Sequence, residues 1–283
     1  MTIGTRTFAW GERTYLMGVI NVSPDSFAGD GLTSAEAALS QARRFVEEGV
    51  DILDVGGQST RPSAARMTEG GFDELDPEEE IRRVVPVIER LVRELDVPVS
   101  IDTYKAPVAR AALGAGAHLL NDIWGFRPPA PGEPSLARIA AEFNIPAVIM
   151  HNQRGRPSRD VIGDIRAGLG VSIAIAEDAG TRRERLIIDP GFGFGWTPEQ
   201  NLEMLRRLGE LRNLGRPILI GTSRKSTIGA VLDGAPAGER LFGTAATIAL
   251  AIANGADIVR VHDVAAMRDV ARVADAVVRA SKA

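Results

Sequence analysis

The chain has 283 residues, a formal net charge of −4 and no cysteine; 45% of its residues are hydrophobic and 25% charged. The length suits one α/β barrel, and the composition supplies a large core. Scattered charge argues against a nucleic-acid surface, missing cysteines exclude disulfides and thiolate metal sites, and no run reaches the roughly 18 apolar residues of a membrane span.

The opening stretch, MTIGTRTFAWGER, has no signal-peptide-like apolar core, so a soluble cytoplasmic protein is expected. Residues 1–14 read as a short N-terminal cover, a hairpin closing one end of the domain. Tyr15–Ile20 is a brief apolar run that suits a strand buried on both faces. It ends on Asn21 and breaks into a Ser-Pro-Asp-Ser turn. Ser34 can cap a helix that Gly49 closes. A second strand, Val50–Val55, runs into the loop Gly56–Pro62. Pro77 opens an acidic first turn of a helix that Pro86 is expected to kink. PVSIDT (98–103) is the third strand, with a helix near 106–113. AHLLNDI (117–123) is the fourth, with a helix near 134–143. PAVIMHN (146–152) is the fifth, with a helix near 161–179. LIIDPG (186–191) is the sixth, with a helix over 198–208. PILIGTSRK (217–225) is the seventh, with a helix over 240–253. ADIVRVHD (256–263) is the eighth, with a last helix to about 280. Eight strand–helix units predict a parallel sheet with right-handed crossovers. A single (β/α)8 barrel domain over 1–283 fits best, with an open doubly wound sheet as the alternative.

Each predicted strand ends on polar side chains: Asn21, Asp54, Asp102, Asn121 with Asp122, His151 with Asn152, Asp189, Ser223–Lys225, and Arg260 with His262. Any one of these alone is more often a cap than a ligand. Barrel topology, however, would bring all eight to one mouth, where sites of this fold lie. Asp102, Asp189 and Asn121 suit the N–H edges of a flat nitrogen heterocycle. Arg260 suits its face, and Lys225 suits a ring carbonyl or nitrogen. Thr60–Arg61, Ser223 and His262 form an anion-seeking group. Asn21 is a neutral oxygen ligand suited to a hydrated Mg²⁺ that also carries a diphosphate. Asp54 and Asp122 read as structural caps, and His118 falls at the opposite end of the barrel. GFGFG (191–195) lacks the ending of a phosphate loop and reads as a tight turn.

The motifs GVINVSPDSF, DVGGQSTRP, SIDTYK, LLNDIWG, IMH, IIDPGFGFG, GTSRKS and RVHDV, in that order, resemble dihydropteroate synthase over nearly the whole chain. The resemblance implies a (β/α)8 transferase of folate biosynthesis. Such an enzyme joins 6-hydroxymethyl-7,8-dihydropterin diphosphate to 4-aminobenzoate with release of diphosphate. It implies Mg²⁺ on Asn21, and a pterin held by Asp102, Asn121, Asp189 and Lys225 with Arg260 along it. Thr60, Arg61, Arg260 and His262 would handle the diphosphate end. Ser223, Pro62 and Phe192 would border the aminobenzoate beneath the loop bearing Pro24–Phe27. Asp102, Lys225 and Arg61 would be catalytic. A homodimer and competitive inhibition by sulfonamides are further implications. The chain departs from the family pattern at Gln58, usually Glu, and at Trp196, commonly Lys. It departs also in a longer loop after Pro62 and a shorter segment after His151. The other readings are a methyltetrahydrofolate-dependent methyltransferase and a non-catalytic pterin-binding paralogue.

Overall fold

Strands buried on both faces must be covered on both, and the chain does this by closing its sheet inside a ring of helices. The computed structural model describes residues 1–22, 34–58, 74–127 and 135–279. A two-stranded antiparallel hairpin, β1 (Thr2–Ile3) and β2 (Arg6–Thr7), comes first. The barrel strands follow: β3 (Tyr15–Asn21), β4 (Ile52–Gly56), β5 (Val99–Asp102), β6 (Leu119–Asp122), β7 (Ala147–Met150), β8 (Leu186–Asp189), β9 (Leu219–Ile220) and β10 (Ile258–Val261). They are parallel in the order β8-β7-β6-β5-β4-β3-β10-β9. A parallel bridge between Ile188 and Ile218 joins the two ends, with Ile188 N donating to Pro217 O at 3.0 Å. The sheet therefore closes, and the open doubly wound alternative is set aside.

The helices are α1 (Ser34–Glu47), α2 (Pro77–Glu94), α3 (Ala106–Gly114), α4 (Leu136–Glu142), α5 (Val161–Asp178), α6 (Pro198–Arg206), α7 (Ser226–Val231), α8 (Leu241–Ala253) and α9 (Val264–Val278). Local chemistry sets several starts. Asp76 caps α2 on Glu78 N and Glu79 N, Asp160 caps α5 on Gly163 N, and Thr197 with Gln200 forms a capping box ahead of Pro198. The helix α2 continues through Pro86. Two expectations change here. The seventh strand shrinks to Leu219–Ile220: Pro217 has no N–H, and Ile218 N donates to the Asp257 carboxylate at 3.0 Å. The six-residue α7 was not expected; it is too short to show a helical period.

Alternation along the strands sorts two cores. One face (Leu16, Ile20, Leu53, Val55, Val99, Ile101, Ile149 and Ile188 among others) packs under the helices. The other (Met17, Ile52, Leu119, Val148, Ile187, Leu219, Ile258) fills the barrel's lower interior, where Ile3 and Phe8 of the N-terminal hairpin plug it. The expected cover is thus a packed stopper. At that same end His118 Nδ1 accepts Val99 N–H at 3.1 Å, a structural contact far from the mouth. With its lower half apolar and sealed, the barrel has polar interior positions only in its upper half.

Candidate active site

Strand register decides which polar side chains meet. Asn21 of β3, Gly56 of β4, Asp102 of β5 and Asn121 of β6 are successive partners across the sheet. In a parallel sheet such partners share a face, so three polar side chains and one bare glycine line one side of the mouth. Residues two positions earlier point the same way, which puts Asp54 directly below this row. Gly56 and Gly221 leave the flanks of Asp102 and Arg260 without a bulky neighbour: a Cβ there would sit 3.7 Å from Asp102 Cβ and 3.5 Å from Arg260 Cβ.

The electrostatic centre is Arg260 on β10. Its Nε donates to Asp54 Oδ2 at 2.6 Å and its Nη2 to Asp102 Oδ2 at 2.7 Å. Asn121 Nδ2 donates to the same Asp54 oxygen at 3.0 Å. Asp54 is fully buried, and its other oxygen, Oδ1, has no hydrogen-bond partner. The sequence expectation of a cap is therefore corrected: Asp54 makes no cap contact but holds Arg260 and Asn121. A parity argument along β4 would have found it, since it lies two residues before Gly56. Asp122, by contrast, is a cap, accepting the N–H groups of Trp124 and Phe126 at 2.9 and 2.6 Å.

Burial pushes the Asp102 carboxyl up to about 7; Arg260 opposes this, while Asp54, Glu80 and Asp122 reinforce it. Its side chain nonetheless stays 21% exposed, open to an incoming ligand. Burial also raises the Asp189 carboxyl, against the pull of Lys225, a backbone N–H and Arg260. One Asp189 oxygen accepts Gly191 N–H at 2.7 Å. Gly191 has φ +79°, and a Cβ there would lie 1.9 Å from His151 O, so only glycine fits the turn. Burial lowers the Lys225 ammonium to about 8, with Asp189 working the other way. Lys225 Nζ donates to Phe192 O and lies 4.7 Å from the centre of the Phe194 ring. The Phe192 ring itself is fully buried in the outer core. Its ring centre is 5.9 Å from Lys225 Nζ, and the partly exposed Phe194 ring lies over the same ammonium.

The anion-seeking group forms a second cluster. Ser223 Oγ and His262 Nδ1 are 3.0 Å apart, and His262 N donates to the same hydroxyl at 3.3 Å. Arg224, between Ser223 and Lys225, makes a two-pronged ion pair with Asp263, and its N–H donates to Thr244 Oγ1 at 3.1 Å. This clamp, absent from the sequence reading, ties the loop after β9 to the loop after β10. Thr60, Arg61 and Pro62 lie outside the described residues, as do Pro24–Phe27. Asn21 is exposed at the end of β3. Among the described residues no group of three or more His, Cys, Asp or Glu side chains could hold a metal unaided.

A model of the family described as pterin binding enzyme matches residues 17–262. A dihydropteroate synthase of Clostridium beijerinckii is 46% identical over 281 residues, covering 99% of this chain and 100% of the relative. The chain belongs to the dihydropteroate synthases. The crystal structure of the Clostridium difficile synthase in the presence of pteroic acid superposes with a TM-score of 0.88 at 46% identity, covering 96% of this chain and 100% of that one. The Yersinia pestis synthase with a sulfonamide drug complex gives 0.86 at 35% identity, with 98% of each chain covered. The fold of this synthase is thus that of its relatives. Of its departures from the family pattern, Trp196 is buried with its ring 5.7 Å from that of His151. Burial lowers His151 to about 4, and it bonds Gln153 at 2.8 Å, so both belong to the wall of the barrel.

Proposed function

We propose that the mouth condenses 6-hydroxymethyl-7,8-dihydropterin diphosphate with 4-aminobenzoate to give 7,8-dihydropteroate and diphosphate. The observation that carries this reading is the convergence of Asp102, Asn121, Asp189 and Lys225 on one mouth flanked by bare glycines. Carboxylates there suit the guanidine-like edge of a pterin, and Lys225 suits its ring carbonyl or nitrogen. Arg260 is held by two carboxylates, so its fork has a fixed orientation before any ligand arrives. Pteroic acid, the compound named with the Clostridium difficile relative, joins the same two halves.

The bond from the exocyclic methylene to diphosphate breaks, the aniline nitrogen bonds to that carbon, and its proton leaves to water. Breaking the first bond ahead of attack leaves cationic charge delocalised over the ring. Asp102, fixed by Arg260 at the end of a rigid strand, faces that charge with little reorganisation. Lys225 and Asp189 orient the ring. Arg61, Ser223 and His262 receive the anionic end. The exposed amide of Asn21 is a neutral oxygen donor that would suit a hydrated Mg²⁺. A Mg²⁺ held there would supply positive charge toward the diphosphate. The aromatic amine is already a nucleophile, so no strong base is required.

A homodimer fits the apolar surface of the adjacent helices α8 and α9, where Phe242, Leu250, Val273 and Val277 are all exposed, Phe242 by 85%. A diphosphate substrate does not cross membranes unaided, which suits a cytoplasmic enzyme. No described helix is long and apolar enough to cross a membrane. Sulfonamides, named with the Yersinia pestis relative, are expected to compete with 4-aminobenzoate. The test is to mix pterin diphosphate, 4-aminobenzoate and Mg²⁺ and follow dihydropteroate; no product from folded protein refutes the reading.

A further inference from the structure

Asn201, in the first turn of α6, is 1% exposed, and its side-chain amide is fully engaged by one short stretch of backbone. Its Oδ1 accepts Gly193 N–H at 2.7 Å. Its Nδ2 donates to Trp196 O at 3.3 Å and to Thr197 O at 3.0 Å. One side chain therefore ties together the two ends of the stretch 193–197. The loop after β7 braces that stretch from another side. Phe194 O accepts Gln153 N–H at 3.0 Å, and a Cβ on Gly195 would lie 2.4 Å from Arg154 N. An asparagine kept only to start α6 would accept N–H groups of that helix. Thr197 and Gln200 already do this as a capping box, and Asn201 faces the turn instead.

The turn so held is a wall around Lys225. Phe192 O accepts from Lys225 Nζ, and the Phe194 ring centre is 4.7 Å from the same nitrogen. Gly193 packs on the stem, where a Cβ would lie 2.9 Å from Lys225 Cδ. Lys225 itself stands just ahead of α7, so the ammonium and the turn come from different elements. A lysine ammonium sits on a flexible stem, so it points where its surroundings send it. Here those surroundings are one turn, and Asn201 closes that turn.

We propose that Asn201 is a positioning residue for Lys225: it touches no substrate, but fixes the turn 192–196 whose carbonyl, ring and backbone aim the ammonium into the mouth. The proposal rests on the reading of Lys225 as a contact of the pterin ring. Four charged groups around the ammonium are untouched by a change at residue 201. Asp189 and Asp102 favour its charged form, while Arg260 and Arg154 oppose it. Burial is the largest influence and holds the ammonium to about 8. A turn released at Gly193 and Trp196 admits water to the ammonium, so its titration should move toward the ordinary value of 10.5.

The experiment compares the wild type, Asn201→Ala, Lys225→Met and the double variant carrying both, each checked by thermal melting. Calorimetry measures binding of free hydroxymethylpterin, and NMR of isotope-labelled lysine follows the titration of Lys225. The chain's lysines are Lys105, Lys225 and Lys282, and Lys225→Met assigns the signal. Asn201→Ala should weaken pterin binding about tenfold, the scale of one hydrogen bond to a charged group. On the Lys225→Met background the same change should weaken it less than about threefold, because the group it positions is gone. The Lys225 midpoint should rise by about 0.5 pH or more in Asn201→Ala. Equal losses on both backgrounds, or a midpoint that does not rise, would each overturn the proposal and leave Asn201 a residue of stability alone. If Asn201→Ala does not fold, the wild type decides. The side-chain amide signal of Asn201 should then titrate at the Lys225 midpoint and lose that step in Lys225→Met; a wild type without the step refutes the link. No dihydropteroate from the wild type would refute the synthase reading instead. The lysine titration needs no substrate, so it would still decide the role of Asn201.

Discussion

Replacing Asp102 by Asn separates recognition from catalysis at this mouth. The change preserves shape. The new amide oxygen can still accept from Arg260 Nη2, and Arg260 keeps its contact to Asp54 at 2.6 Å. Arg260 is therefore not left unpaired, and the loss of stability should stay near the 1 kcal/mol typical of one hydrogen bond. What disappears is a fixed negative charge facing the methylene cation. Removing one preorganised group of this kind costs about 10²–10³ in kcat, roughly 2.7–4 kcal/mol. Single-turnover kinetics and direct titration with pterin diphosphate measure the two quantities separately. We expect kcat to fall by that factor while binding weakens much less. A second readout is pH. The carboxyl of Asp102 is raised to about 7 by burial, so its charged form dominates only above that value. For the wild type, kcat/KM should climb as pH rises through about 7, and Asp102→Asn should flatten that limb. Stability runs the other way. Between the ordinary carboxylate value of 3.8 and about 7 the folded chain holds a proton that the unfolded chain releases. This group's contribution to stability therefore declines as pH rises across that window, and the substitution removes the slope. Binding that weakens as much as the chemical step slows would refute the reasoning and reduce Asp102 to a recognition group.

Asp54→Asn leaves Arg260 its pair with Asp102 at 2.7 Å but puts an amide N–H pair in a fully buried position, which should cost about 1–3 kcal/mol and lower Tm by about 2 °C or more; an unchanged melting curve would mean the contact is dispensable. Asp189→Asn places an N–H pair against the pterin edge and should weaken pterin affinity by about 2–3 kcal/mol, roughly 30- to 150-fold, by calorimetry. Affinity within threefold of the wild type would exclude Asp189 from that edge. Asn21→Ala should raise the Mg²⁺ concentration needed for half-maximal rate and leave free hydroxymethylpterin affinity almost intact. Equal loss of both would put Asn21 in the pterin pocket instead.

The unit count, the order of elements and the strand-end chemistry were legible in the chain because parallel buried strands are short apolar runs that end abruptly on polar residues. Eight such runs admit few topologies, and the motifs from GVINVSPDSF to RVHDV give the family. The N-terminal cover was legible as a hairpin, but not as a stopper, because nothing local says that Ile3 and Phe8 meet Ile187 and Ile258. Asp54 read as a cap for the same reason. A residue's type and its distance from a turn do not say which way the strand faces. Register across β3, β4, β5 and β6 decided that Asp54 points inward under Asn21, Asp102 and Asn121. Barrel closure then brought Arg260, 206 residues from Asp54, onto it at 2.6 Å. Gln58 showed the limit most clearly. In sequence it was a neutral residue where the family usually has a charge, and only the fold puts Glu80 beside it on the ammonium of Lys105. Local sequence sets which groups are available and in what order. Which of them share a charge depends on contacts between chain segments far apart, and those are settled by packing the whole barrel at once.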